Sequence, residues 1–162
     1  SRGLGDVYKR QVKMRIQMKK QDLMIKKLIQ LLDLKPHPEG GWYRETWRSE
    51  ETFTRTNGTE RASGTAIYFL IPQGVKTHWH KVNSAEIWHF YSGAPLVLEL
   101  KNEETEDLEE IMMGTNLEGG FVPQALVKPN QWQRAYSTGE YTLVGCTVSP
   151  GFDFLDFLMV ED

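Results

Sequence analysis

Cysteine is nearly absent: the 162 residues hold one, Cys146. A single thiol forms no internal disulfide and no paired-cysteine zinc ribbon, and this one lies in an apolar stretch where such a side chain packs. Long apolar runs are missing too. The longest, Ala66-Ile67-Tyr68-Phe69-Leu70-Ile71, falls far short of the ~20 residues that cross a bilayer, and no apolar stretch sits near the start. A cytoplasmic protein without membrane association is expected. Asn57-Gly58-Thr59 fits the glycosylation triplet, but with no export signal it is read as turn chemistry. There is no phosphate-cradling glycine loop, no serine elbow, no internal repeat and no calcium loop. These absences remove the commonest nucleotide-binding and hydrolase readings.

The net charge of −3 is unevenly spread: residues 1–27 carry nine basic and two acidic side chains, residues 28–162 ten and twenty. A basic arm can bind nucleic acid or an anionic surface. Residues 5–11, however, resemble translated cloning or adapter sequence, so the first eleven residues are set outside the fold reading. Lysines and arginines over 13–27 then read as the solvated side of a helix. The acidic main body argues against nucleic acid as a partner. The expected organisation is a basic extension over 1–20, partly non-native, and a single domain over 21–162.

Apolar residues at Met24, Ile25, Leu28, Leu31 and Leu32 recur at helical spacing, which predicts a short amphipathic helix over 22–34 with Asp22 as N-cap and Pro36 as the stop. The period then changes. Segments 42–47, 64–71, 86–91, 96–100, 125–128, 141–148 and 154–160 are short and rich in β-branched or aromatic residues. Turn chemistry such as Pro72-Gln73-Gly74, Gly93-Ala94-Pro95 and Thr138-Gly139 separates them. An all-β sandwich or barrel is predicted. Residues 103–110, with six acidic side chains, read as a solvated hairpin tip.

The densest chemistry lies between Gly74 and Gly93, which holds His78, His80 and His89. On an extended strand His78 and His80 project from one face, where both can reach one ion at ~2.1 Å. Glu86 follows a turn at Asn83-Ser84 and shares its face with Trp88 and Phe90. Two imidazoles and a carboxylate with open positions suit Fe(II), Mn, Ni or Zn. A His–Glu pair also moves protons with no ion present. His89, of opposite parity to Glu86, is expected to face away. His37 and Glu39 lie in a Pro/Gly loop and are assigned to the rim of the pocket. Trp42, Tyr43, Trp47, Tyr68, Trp88 and Trp132 supply aromatic faces that pack or stack on a sugar ring or base.

His78, His80, Glu86 and Gly93 resemble the first motif of the cupin superfamily, here with five residues between His80 and Glu86. Three further segments, His37 to Thr46, Glu86 to Tyr91 and Pro150 to Phe154, sharpen the resemblance to the Cupin-5 family, largely of unassigned function. The stretch Lys128-Pro129-Asn130-Gln131-Trp132-Gln133 corresponds to the second motif, with Gln133 where the last imidazole ligand stands.

The resemblance implies a cupin double-stranded β-helix, or jelly-roll barrel, behind the N-terminal helix. It implies a metal set of His78, His80, Glu86 and Gln133, or a metal-free site. It also extends to sugar-nucleotide epimerases. In that chemistry His80 is the base, Glu86 its orienting partner and Tyr68 or Tyr141 the acid. Arg44 and Arg134 hold an anionic group on a small-molecule substrate, with Trp88 and Trp132 as further contacts. A non-catalytic carbohydrate- or metabolite-binding module and a metal-dependent dioxygenase are the alternatives. A homodimer is expected, since small cupin barrels commonly pair their sheets.

Overall fold

The computed structural model describes residues 2–160. The helix α1 runs unbroken over Arg2–Leu32, well upstream of the expected start at Asp22, which lies inside it. No proline interrupts the first 35 residues, and the Lys, Arg, Gln and Met that fill them are good helix formers. The stop is Asp33 rather than Pro36. Asp33 takes φ 53°, the left-handed geometry that ends many helices. The chain divides into two compact units at this point, α1 through Asp33 and a β-unit from Leu34 onward.

The β-unit contains β1 (Lys35–Pro36), β2 (Trp42–Arg48), β3 (Thr52–Thr54), β4 (Glu60–Ala62), β5 (Thr65–Pro72), β6 (His80–Lys81) and β7 (Ala85–Gly93). It continues through β8 (Leu96–Lys101), β9 (Leu108–Met113), β10 (Gln124–Val127), β11 (Trp132–Ser137), β12 (Tyr141–Ser149) and β13 (Leu158–Met159). One six-stranded sheet has the order β1-β2-β5-β12-β7-β10 and a five-stranded sheet the order β13-β6-β11-β8-β9, with β3 and β4 as a separate hairpin. All paired strands are antiparallel. The two sheets form separate ladders rather than one closed ring.

Alternation along each strand builds the core between the sheets. Phe69, Trp88, Val144 and Cys146 of the large sheet pack with Leu96, Leu98, Leu100 and Ala135 of the smaller one, all buried. Each large aliphatic or aromatic side chain here contributes roughly 1.5–3 kcal/mol by leaving water. The cluster also fixes register. In β12 Cys146 lies opposite Trp88 on one side and Ile67 on the other, so one inward row crosses three strands.

Several elements differ from the expected pattern, each for a local reason. β11 buries Gln133, Ala135 and Ser137 and turns Trp132, Arg134 and Tyr136 outward, so its hydrophobic signal is inverted. β3 and β4 flank the Asn57-Gly58 turn, where Asn57 Oδ1 accepts from the Thr59 N–H at 2.9 Å. β9 begins inside the acidic run and leaves Glu109 and Glu110 exposed. The last expected strand is mostly a 3₁₀ turn, Phe154–Asp156, capped by Asp153 Oδ1 at 2.9 Å from the Leu155 nitrogen. Only β13 remains of it as strand.

Candidate functional site

A cavity of about 420 Å³ opens on the inner face of the large sheet. Parity decides which side chains reach it. On β2, Tyr43 and Glu45 face inward, and a bulge between Glu45 and Trp47 returns Arg48 to the same side. On β5 the inward residues are Thr65, Ile67 and Phe69; on β7 they are Glu86 and Trp88; on β12 they are Cys146 and Val148.

Three buried titratable groups form the floor. His80 is 3% exposed, Glu39 3% and Glu86 8%. Glu39 therefore belongs to the floor, not to the rim expected for it. The loop carrying it folds tightly, with the His37 N–H donating to the Gly41 carbonyl at 2.9 Å and the Gly40 N–H to the His37 carbonyl at 3.0 Å. Gly41 sits at φ +78°, and a Cβ there would meet Phe69 at 2.6 Å and the Leu70 carbonyl at 2.8 Å. Only glycine lets this loop lie against β5.

Hydrogen bonds fix the state of the imidazoles. His80 Nδ1 lies 2.8 Å from the His78 carbonyl oxygen. A carbonyl only accepts, so Nδ1 carries a proton. His80 Nε2 lies 2.8 Å from Glu39 Oε2. Whichever atom holds the proton between them, the His80–Glu39 pair is neutral as a unit. Burial alone would lower the His80 pKa, but the Glu39 charge and hydrogen bond, with Glu86 and the His78 carbonyl, outweigh it and raise it. His37 is the opposite case. Its Nδ1 accepts from the Glu39 N–H at 3.1 Å, and burial, the largest influence, holds its pKa down.

Glu86 is raised from 4.5 to about 7, chiefly by burial; His80 pulls it down, Glu39 pushes it up, and Gln133 and Trp88 favour its charge. Gln133 is fully buried. Its Oε1 accepts from Trp88 Nε1 at 2.8 Å, while its Nε2 makes no hydrogen bond of normal geometry. Cys146, at the floor beside these acids, has its thiol pKa pushed well up by burial, which leaves it a packing residue.

Aromatic rings make the walls. His37 stacks on Phe69 with centroids 5.3 Å apart, and Phe69 on Trp88 at 5.9 Å. Phe152, Phe154 and Phe157 meet edge to face, Phe154 and Phe157 lie 6.3 and 6.2 Å from the His37 ring, and Phe157 lies 5.5 Å from the His80 ring. The segment bearing these phenylalanines is tied down at several points. Arg61 grips Asp156 through two bonds of 2.8 and 2.9 Å, the Phe152 N–H donates to Thr65 Oγ1 at 2.9 Å, and β13 pairs Met159 with His80.

Of the residues expected at the site, the structure brings together His80, Glu86 and Trp88, with Gln133 behind Trp88. The others lie elsewhere. His78 precedes β6 in irregular backbone, and its side chain does not join His80 in lining the cavity. Arg44 and Tyr68 fall on the outer parity of β2 and β5, with the guanidinium 5.4 Å from the Tyr68 ring centre. Tyr141 pairs with Pro72 at the far end of β12. Trp132 and Arg134 flank inward Gln133 and therefore point out. Lys81 lies over Trp132 at 5.0 Å, and Arg134 stacks on Trp79 at 4.3 Å and bonds Glu99 at 2.8 Å. His89 faces outward as its parity requires, 3.0 Å from Thr147 Oγ1.

The cupin fold implies a metal, and the donors present do not fit one. Both ring nitrogens of His80 are engaged, His78 does not line the cavity, and among the described residues no three His, Cys, Asp or Glu side chains are arranged to hold an ion. Sequence reasoning missed the partner of His80. The signal was present in Glu39-Gly40-Gly41, a carboxylate followed by two glycines that let its loop press inward.

The profile of the cupin superfamily family DUF985 matches residues 26–160. A solved protein from Shewanella oneidensis is 34% identical, covers 83% of this chain and 83% of its own length, and superposes with a TM-score of 0.77. A hypothetical protein from Leishmania major is 31% identical over 83% of this chain and 86% of that one, also with a TM-score of 0.77. An uncharacterised Klebsiella pneumoniae protein with a double-stranded β-helix domain, 14% identical over 80% of this chain and 91% of its own, has a TM-score of 0.53 and shares the fold. No match is found among curated proteins. Among the described residues no helix is long and apolar enough to cross a membrane. With two paired sheets, a cavity on the inner face and a family profile spanning the β-unit, the chain belongs to the Cupin_5 (DUF985) family of the cupin superfamily.

Proposed function

We propose that this protein is an enzyme that moves protons on a small polar, sugar-like metabolite held in the cavity, as an isomerase or epimerase does. One observation carries the reading. The floor holds two kinds of titratable group side by side, a His80–Glu39 pair with a proton to give and a Glu86 carboxyl poised at about 7 to take one. Groups whose surroundings push them to complementary roles near neutral pH are the usual parts of acid–base catalysis. Glu86 takes a proton from the carbon next to a substrate carbonyl. The carbon–hydrogen electrons become the C=C bond of an enol, and the carbonyl oxygen takes the proton shared by His80 and Glu39. Reversal at the neighbouring carbon gives the isomer. Here the orienting partner of His80 is Glu39, and Glu86 is the base. Epimerisation needs a donor on the opposite face, and the tyrosine among the cavity-lining residues is Tyr43, which replaces Tyr68 and Tyr141 in that role.

A second reading, a non-catalytic metabolite-binding module, is favoured by the extent of ring surface on both walls. No step is routed through a metal, because the donor set does not converge. We further propose a homodimer, for which light scattering would return twice the mass of the chain.

The test is proton exchange in D₂O. Wild-type protein incubated with a panel of aldoses and ketoses is expected to replace a hydrogen next to the carbonyl of at least one by deuterium, seen by proton NMR. Glu86→Gln should slow this by about 10²-fold or more. Binding without exchange for every compound in the panel would replace the enzyme by the binding module.

A further inference from the structure

We infer that the cavity selects a small organic cation, a protonated amine or amidine carried on a flat apolar ring, over neutral and anionic molecules of the same shape. This goes beyond the reading above and rests on it only in taking the same cavity as the ligand site. The argument is a charge inventory. His80 and Glu39 cancel, because one proton lies between Nε2 and Oε2 while Nδ1–H donates to the His78 carbonyl. Glu86 is then the floor acid whose charge, once ionised, is held by the neutral donors Gln133 and Trp88 and by no cation of its own, since His80 is already matched by Glu39. The groups facing it are His80 from β6, Glu39 from the loop before β2, Gln133 from β11 and Cys146 from β12. None is a lysine or arginine.

The rim adds no net charge to counter this acid. Arg48 holds Glu45 by two bonds of 2.8 Å and the Phe152 carbonyl by one of 2.9 Å. Lys35 lies 5.4 Å from the Tyr43 ring centre, and Asp153, the cap of the 3₁₀ turn, lines the same cavity. Two cations face two anions there. A phosphate or carboxylate entering would therefore meet a floor with an excess of acid. A cation would meet Glu86 and the rings of Tyr43, Phe154 and Phe157, which line the cavity and keep exposed surface, and π clouds attract positive charge most strongly where water is excluded. The volume of about 420 Å³ admits a single ring with a short arm.

Benzamidine, benzamide and benzoate keep one shape and change only the charge. Calorimetric titration of the full chain in low salt at pH 8, where Glu86 is mostly ionised, is expected to give benzamidine an affinity about tenfold or more above benzamide, with benzoate weakest. Glu86→Gln is expected to remove the benzamidine advantage, and a circular dichroism spectrum and cooperative thermal unfolding like those of the wild type show that the variant is folded. Benzoate binding as tightly as benzamidine, no binding of any of the three, or an advantage that survives Glu86→Gln would each overturn the inference. Sugar exchange in D₂O with no charge preference defeats only this inference. The charge preference without sugar exchange leaves it standing and defeats the isomerase.

Discussion

Glu39 Oε2 and His80 Nε2 face each other at 2.8 Å beneath the aromatic walls, both side chains almost fully removed from water. The contact joins a glycine-hinged loop to a two-residue strand. Neither group would be stable there alone, since a buried unpaired charge is far more costly than a buried pair.

Removing one partner should therefore be severe, and the severity should depend on what replaces it. Glu39→Ala is expected to lower unfolding free energy by about 3–5 kcal/mol. Glu39→Gln should lose clearly less, because its amide N–H still donates to a neutral His80 Nε2. Urea denaturation at pH 7 measures both. Equal losses would mean that the hydrogen bond contributes nothing beyond charge.

Glu86 makes the protein less stable as pH rises. The unfolded chain releases this proton near 4.5 and the folded one near 7, so between those values the folded state binds more protons and its stability falls. At about 1.4 kcal/mol for each tenfold change, the group accounts for about 3 kcal/mol by pH 8. His80, with its raised pKa, acts in the same sense: its stabilisation is complete below 6.5 and is lost as pH climbs through the folded value. Glu86→Gln should match the wild type near pH 4.5 and exceed it by pH 8. Parallel denaturation profiles of the two across that window would contradict the assignment.

Gln133 is expected to matter for its amide rather than for its bulk. Gln133→Leu leaves the Trp88 indole N–H without its acceptor and takes away a group that favours charge on Glu86. The expected cost is about 1–3 kcal/mol, with the Glu86 pKa rising further. Thermal unfolding together with tryptophan fluorescence, which reports the indole environment, measures the change.

Much of this fold is readable from the chain, because strands such as β5, β7 and β12 bury continuous or alternating apolar rows. Glu86 and Trp88 could be placed on one face by parity alone, while His80, on the other sheet, is joined to them through the family motif. β11 could not be seen, since its inward residues are Gln133, Ala135 and Ser137 and carry almost no hydrophobic signal. The same parity argument applied to Arg44, Tyr68 and Arg134 would have sent them outward, had their cavity-facing neighbours been known. Glu39 was hidden for another reason. Its burial comes from loop geometry at Gly40 and Gly41, and periodicity says nothing about loops. His78 misled because an HxH spacing implies a shared face only while the backbone is extended and paired, and pairing here starts at His80.

The account rests on Glu86 exchanging its proton near neutrality beside a His80–Glu39 pair that is already satisfied. A carbon-detected NMR titration of the Glu86 side-chain carboxyl in the folded wild type tests this most directly. A midpoint near 7 is the expected result; a midpoint near 4.5, as for a carboxyl in water, would contradict it.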